Sequence, residues 1–252
     1  GLMDEAAVPG MQAAVLRDGA PAWAGSFGLA NTSTKAPVTD GSVFEAASLS
    51  KPVFAYAVLT LVDAGVMDLD KPLNTYLPGR YDVGDDARLG QMTARHILSH
   101  RSGFPNWRSG SGPLKIFFAP GERFSYSGEG FVYLAAAVER ITGQTLDAFM
   151  KRTVFDPLGM TSSSYAWQSR YESLKVYNHD LIGGVAGRSA PWRANAAASL
   201  HTTAQDYARF LAAVLAGRGL RPPTARELMS PQSRPDEAGF NTATVAPTGR
   251  PA

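Results

Sequence analysis

The apolar positions of the chain change period in an order that outlines a fold. Met11 to Leu16 and Ala20 to Leu29 flank the turn-forming Arg17-Asp18-Gly19, which predicts a β-hairpin carrying Trp23 and Phe27. From Val53 onward, Phe54, Ala57, Val58, Leu61 and Val62 recur at helical spacing until Gly65, so a broad apolar face marks a central core helix. Gln91 to Ser99 predicts a shorter helix that runs into the loop His100-Arg-Ser-Gly-Phe-Pro-Asn-Trp107. Gly130 to Thr142 and Thr145 to Val154 read as a helical pair divided by Gly143. Thr161 to Ala198 is irregular and glycine-rich, the kind of stretch that borders function. Thr203-Ala-Gln-Asp206 then resembles a capping box opening a helix over Tyr207 to Leu215, and a short helix follows around Thr224 to Met229. No internal repeat is present. One domain over residues 1–230 is expected, with 231–252 a proline-rich tail or the start of a further segment.

Composition narrows the chemistry. The 252 residues are 44% hydrophobic and 18% charged, enough apolar material for one large core or two modest lobes. The formal charge is only +2 and no run of like charge tracks a phosphate backbone, so nucleic acid is not expected as a partner. Absence of cysteine removes thiol nucleophiles, disulfides and cysteine-ligated metals. No stretch reaches the roughly 18 apolar residues of a spanning helix, and no export signal is in view.

Against that background, Ser48-Leu-Ser-Lys51 is the only Ser-x-x-Lys in the chain. Residues three apart on a helix share a face, so the Ser48 hydroxyl and the Lys51 amine can meet. A serine hydroxyl is a weak nucleophile until a neighbouring base takes its proton, and a lysine buried among Phe44, Ala46, Ala47, Val53 and Phe54 is a candidate for that base. The helix start adds backbone N–H groups without internal acceptors, suited to an oxyanion. Pro52 fits the first turn. The tetrapeptide alone is expected about once by chance in a chain of this length, as a serine cap and a solvated lysine.

The surrounding motifs raise the weight of the catalytic reading. Phe44-Glu-Ala-Ala-Ser-Leu-Ser-Lys-Pro-Val-Phe54, Leu98-Ser-His-Arg-Ser-Gly-Phe-Pro-Asn-Trp107, Pro120-Gly-Glu-Arg-Phe-Ser-Tyr-Ser-Gly128 and Ala197-Ala-Ser-Leu-His-Thr-Thr-Ala-Gln-Asp-Tyr-Ala-Arg-Phe210 together resemble the serine β-lactamase and penicillin-binding-protein superfamily. The likeness is to its class C-like branch, which includes esterases and D-aminopeptidases. It implies an α+β fold in which a helical lobe joins an antiparallel sheet. The family's second motif, Tyr-x-Asn, aligns with Tyr126-Ser127-Gly128. Tyr126 is thereby implied as the phenol that moves the serine proton toward the leaving group, whereas glycine stands where an asparagine would hold a substrate carbonyl.

The family's third motif, Lys-Thr-Gly or His-x-Gly on a closing strand, has no counterpart. Thr248-Gly249 is the nearest string and sits among prolines without strand-like alternation. Of the family's sheet only the N-terminal hairpin is legible, so its C-terminal strands are expected to be missing from this chain, leaving an open edge and an uncovered helix face. Self-association, or a second chain completing the sheet, would answer that deficit.

Other chemistry is weaker. His96 and His100 have the spacing of a zinc pair but Ile-Leu-Ser lies between them, and a structural reading is preferred. His179 and His201 are candidate pocket residues; Gly128, Trp107 and His179 are carried as candidate substrate contacts beside Trp167 and Trp192. Gly-x-Ser-x-Gly and the phosphate-binding glycine motifs are absent. The expectation is a serine hydrolase forming an acyl-enzyme on Ser48 with Lys51 and Tyr126, acting on an ester, amide or β-lactam without metal or cofactor. The alternative is a penicillin-binding-like module kept for binding or assembly. The resemblance favours a bacterial protein exported to the periplasm or medium.

Overall fold

The computed structural model describes residues 1–79 and 81–233, so Thr248-Gly249 and most of the proline-rich tail lie outside the described residues. The chain divides into two compact units, Gly1–Ala57 with Leu146–Ala225, and Val58–Thr145 with the segment from Arg226. Each unit is assembled from two separate stretches of the chain.

The first unit holds all the named strands among the described residues. The predicted hairpin is β1 (Gly10–Arg17) and β2 (Ala20–Asn31), antiparallel from Gly10 opposite Gly28 to Arg17 opposite Ala20, with β3 (Ala36–Pro37) on the far side of β2. Asp18 and Gly19 turn the chain at φ of 52° and 76°, the left-handed values that a tight hairpin demands. Two further antiparallel pairs correct the expectation that the hairpin is the only sheet: β4 (Phe44–Ala47) with β7 (Leu200–Thr202), and β5 (Asn178–His179) with β6 (Val185–Gly187). These strands are too short for alternation to declare itself in the sequence.

Helices of this unit include α1 (Leu2–Glu5), the first turns of α2 (Ser50–Asp63), α5 (Leu146–Met150), α6 (Asp156–Leu158), α7 (Ala204–Leu215) and most of α8 (Pro222–Leu228). A π-helical turn, Lys151–Phe155, joins α5 to α6. α7 packs on β1 and β2, and Gln12 Oε1 accepts its Ala204 N–H at 3.0 Å. Its cap is half of the capping box expected. Thr203 Oγ1 accepts the Asp206 N–H at 3.1 Å, while the Asp206 carboxylate turns instead to Ser162 N–H and Ser163 Oγ–H at 2.8 and 2.9 Å. The fully buried Phe54, Phe149, Tyr165, Tyr171 and Phe210 form the interior, each worth about 1.5–3 kcal/mol of burial. Strand β1 has β2 as its only neighbour among the described residues. Along it runs a groove of about 420 Å³ lined by Met11, Ala14 and Leu16 from β1 and Tyr207 and Leu211 from α7.

The second unit is helical, and carries the remainder of α2, α3 (Ala94–Leu98) and α4 (Gly128–Thr142) with two short 3₁₀ turns. The helix expected over Gln91–Ser99 is shorter than its pattern, because Thr93 caps α3 by accepting the His96 N–H at 3.3 Å and the preceding Ala87–Gln91 is 3₁₀. α3 ends at Leu98 and His100 takes φ of 57°, so His96 and His100 share no helical face. α4 ends on Gly143 at φ of 66°, the left-handed C-cap its glycine foretold. Tyr133 packs edge-on against Phe104 (6.0 Å) and beside Tyr81 (4.5 Å), with Leu73, Met92, Ile97 and Leu134 fully buried as well. No described helix is long and apolar enough to cross a membrane.

Candidate active site

Strand β4 delivers the chain to Ser48. Ala47, its last residue, sits at φ of 43°, a left-handed value that is strained for a side chain with a Cβ, and the strand turns sharply there as Leu49 N–H closes onto Ala46 O at 2.9 Å. Helix α2 begins three residues after Ala47, at Ser50, so Ser48 lies on the turn before the helix and not, as expected, on its first turn. The turn leaves Ser48 exposed while Lys51, one turn further, is 96% enclosed. Ser50, between them, is buried and ties the turn down: its hydroxyl donates to Ala47 O and accepts Leu200 N–H at 2.9 Å, while Tyr165 Oη–H donates to its carbonyl.

Lys51 Nζ donates to Ser48 Oγ at 3.2 Å and to the Ala197 carbonyl at 2.9 Å. The second contact was not legible in the sequence, because Ala197 is far along the chain. A compact loop makes it dependable: Asn195 Oδ1 accepts Ala197 N–H at 2.8 Å, Ser199 Oγ accepts Asn195 N–H at 2.7 Å, and Ser199 Oγ–H donates to Tyr165 O at 2.6 Å. The amine is thus aimed at the serine by a fixed carbonyl. In its neutral form the same nitrogen can accept the Ser48 proton across the same contact.

The second unit gathers the next predicted residues. Tyr126 is half-buried and stacks on His100, ring centroids 4.4 Å apart and 27° between planes. His100 grips the motif's backbone too: its Nδ1 accepts Ser127 N–H at 3.1 Å and its carbonyl accepts Ser125 N–H at 2.7 Å. Nδ1 is therefore unprotonated, and the proton of the neutral ring resides on Nε2. The sequence reading missed this role, although the adjacency of His100 to a turn-rich aromatic loop was visible.

Gly128 opens α4 beneath the loop that ends in Trp107. A Cβ there would lie 2.7 Å from Asn106 O and 2.9 Å from two ring carbons of Trp107. Glycine is therefore a packing requirement at this position. Asn106 accepts Gly128 N–H on both its carbonyl (3.0 Å) and its Oδ1 (3.1 Å), Pro105 O accepts Ser127 Oγ–H at 2.9 Å, and Glu129 Oε1 accepts Arg108 N–H at 3.1 Å. Ser127 also caps α4, its Oγ accepting Gly130 N–H at 3.0 Å. Trp107 is half-exposed above this seam.

His179 is placed elsewhere in the first unit, where its Nε2 accepts Thr32 N–H at 3.3 Å and fastens the turn after β2. His201 is fully buried against Tyr171 and Trp167, and Trp192 is exposed. Among the described residues no group of His, Asp and Glu side chains has the arrangement of a metal site.

A family model described as Beta-lactamase matches residues 1–251. Penicillin-binding protein 4* of Bacillus subtilis (strain 168) is 32% identical over 177 residues, covering 62% of this chain and 35% of its own length. Esterase EstB of Burkholderia gladioli is 29% identical, with 94% of this chain and 72% of the esterase covered. The crystal structure of D-alanine carboxypeptidase AmpC from Burkholderia cenocepacia superposes with a TM-score of 0.74 at 23% identity, over 90% of this chain and 65% of the carboxypeptidase, and shows the fold. The chain thus spans about a third of the penicillin-binding protein and about two thirds of the carboxypeptidase.

Proposed function

This chain belongs to the β-lactamase family, and from that membership we propose that it is a serine hydrolase working through an acyl-enzyme on Ser48. The observation that carries the reading is the 3.2 Å contact between the exposed Ser48 hydroxyl and the enclosed Lys51 amine, aimed by Ala197 O. Ser48 Oγ attacks an ester, amide or β-lactam carbonyl as Lys51 takes its proton. The Ser48 backbone N–H, at the turn into α2, contributes to binding the oxyanion. By the family's second motif, Tyr126 passes the proton to the leaving group, and water then releases the acyl group. Relatives bearing the names of an esterase and of a penicillin-binding protein support this reaction class.

Incubation with a chromogenic short-chain ester and with a labelled penicillin, followed by intact mass measurement, tests the reading. An acyl adduct is expected in the parent and not in Ser48→Ala, with ester turnover reduced by about 10³–10⁶-fold. Lys51→Met, which keeps volume, is expected to lose turnover on a similar scale. Absence of adduct in the parent, with Ser48→Ala behaving identically, would favour the module kept for binding or assembly.

A further inference from the structure

We propose that His201 is a positioning residue for the nucleophile: through the peptide that joins Ser199 to Leu200, and then through Ser50, it holds the strained turn that presents Ser48. The inference rests on the hydrolase reading above and adds to it a residue outside the Ser48 and Lys51 pair.

His201 stands in the middle of β7, fully buried, with Ser164 bonded to its backbone N–H and carbonyl at 2.9 and 3.0 Å and Glu45 of β4 opposite it. Its ring packs against Tyr171, stacked at 6.0 Å, and Trp167, edge-on at 5.9 Å. Nδ1 is 3.0 Å from the Ser199 carbonyl, which can only accept, so the neutral ring carries its proton on Nδ1 and donates it there. Nε2 has no hydrogen-bond partner among the described residues. A histidine so placed carries a cost that a leucine or valine would not incur. The bond that Nδ1 does make therefore calls for a use.

That bond falls on a peptide with a second duty. In a planar trans peptide the C=O and N–H point in opposite directions, so fixing one aims the other. Ser199 O accepts from Nδ1, and the N–H of the same peptide, that of Leu200, donates to Ser50 Oγ at 2.9 Å. Ser50 Oγ–H donates in turn to Ala47 O. Ala47 is the residue at φ of 43°, and a strained conformation lasts only where its surroundings hold it. Hydrogen bonds in series polarise one another, so the bond on Ser199 O strengthens the one that Leu200 N–H makes. The path ends one residue before Ser48, and every residue on it belongs to the first unit.

Two substitutions separate positioning from packing. His201→Asn keeps a donor, because its Nδ2 reaches the place of the imidazole Nδ1, but it empties ring volume beside Tyr171. His201→Leu keeps apolar bulk and has no donor. Acylation by p-nitrophenyl butyrate would be followed in the first-turnover burst, and stability by urea midpoints. His201→Leu is expected to acylate about 10–100-fold more slowly at saturating ester, with the half-saturating concentration within about threefold of the parent, while being the more stable of the two variants. His201→Asn is expected to stay within about threefold of the parent in rate while being the less stable. Ser50→Ala cuts the path one link nearer the serine and should slow acylation on the same scale, and adding His201→Leu to it should cost less than about threefold more. With the parent active, three results would overturn the inference alone: His201→Leu as fast as the parent, His201→Asn no faster than His201→Leu, or losses that multiply in the double variant. A nitrogen-15 histidine spectrum of the parent, with His201 assigned by its absence in His201→Asn, would do the same if it placed the proton on Nε2. A parent that forms no acyl adduct overturns the hydrolase reading and this inference together.

Discussion

At the scale of single residues, the contact between Ser48 and Lys51 was readable and its supports were not. Ser48 and Lys51 are three apart, so the single turn closed by Lys51 N–H on Ser48 O suffices to bring them together; Ala197, Asn106 and His100 act on partners tens of residues away, and no spacing rule reaches them. Gly128 shows the difference most clearly. In sequence it is a departure from Tyr-x-Asn; in the structure a Cβ at 128 would meet a backbone oxygen at 2.7 Å, which cannot swing aside as a flexible side chain would. Gly128→Ala is therefore expected to destabilise by about 1–3 kcal/mol and to displace Trp107, read as a lower urea midpoint with a shift in tryptophan emission. An alanine variant as stable as the parent would mean that the loop is free to lift from α4.

At the scale of elements, long periodic segments were legible and short pairings were not. The helices α2, α4 and α7 each bury a continuous face, so their period survives in the residues, while the hairpin declared itself by its turn, although Ala30 is the one buried residue of its two strands. β4 and β7 run for four and three residues, with Glu45 opposite His201, and owe their pairing to the segments around them. The capping of α7 is an intermediate case. Thr203 was correctly read as the cap, but the Asp206 carboxylate, 1% exposed, is spent on Ser162 and Ser163, with Arg209 also bound to it. These two threads predict unequal costs. Thr203→Ala removes one cap bond and should cost about 1 kcal/mol. Asp206→Ala strands the Ser162 N–H, leaves Ser163 Oγ–H with Thr202 Oγ1 alone and removes the partner of the half-exposed Arg209, and about 2–3 kcal/mol is expected. Chemical denaturation of both variants checks the order; a true capping box, with the carboxylate serving only the cap, would make the two losses alike.

At the scale of the molecule, the proton balance of the first unit makes stability depend on pH in a defined way. Burial, then the nearby Lys175 charge, lowers the pKa of His201, whose Nε2 has no hydrogen-bond partner among the described residues. Burial lowers Lys175 to about 8, and its Nζ likewise has no partner among the described residues. Both shifts have one sign, because the unfolded chain binds the proton that the fold rejects. Stability should therefore rise with pH where the two states differ: below the ordinary histidine value of about 6.5 for His201, joined by His96 in the second unit, and from about 8 toward the ordinary lysine value of about 10.4 for Lys175. Burial pushes Tyr81, Tyr133 and Tyr207 up to about 12, so the fold holds their protons longer and the slope reverses above the ordinary tyrosine value of about 10. The lysine contribution is thus read between about pH 8 and 9.5. Unfolding free energies from urea titrations across that window should climb in the parent and stay level in Lys175→Met, which should also be the more stable protein at pH 7, since the methionine fills the same space without a buried charge. A slope unchanged by Lys175→Met would show that the ammonium is hydrated in solution, and that Glu45, the opposing charge that raises its pKa, is not what lets the lysine stay charged inside the fold.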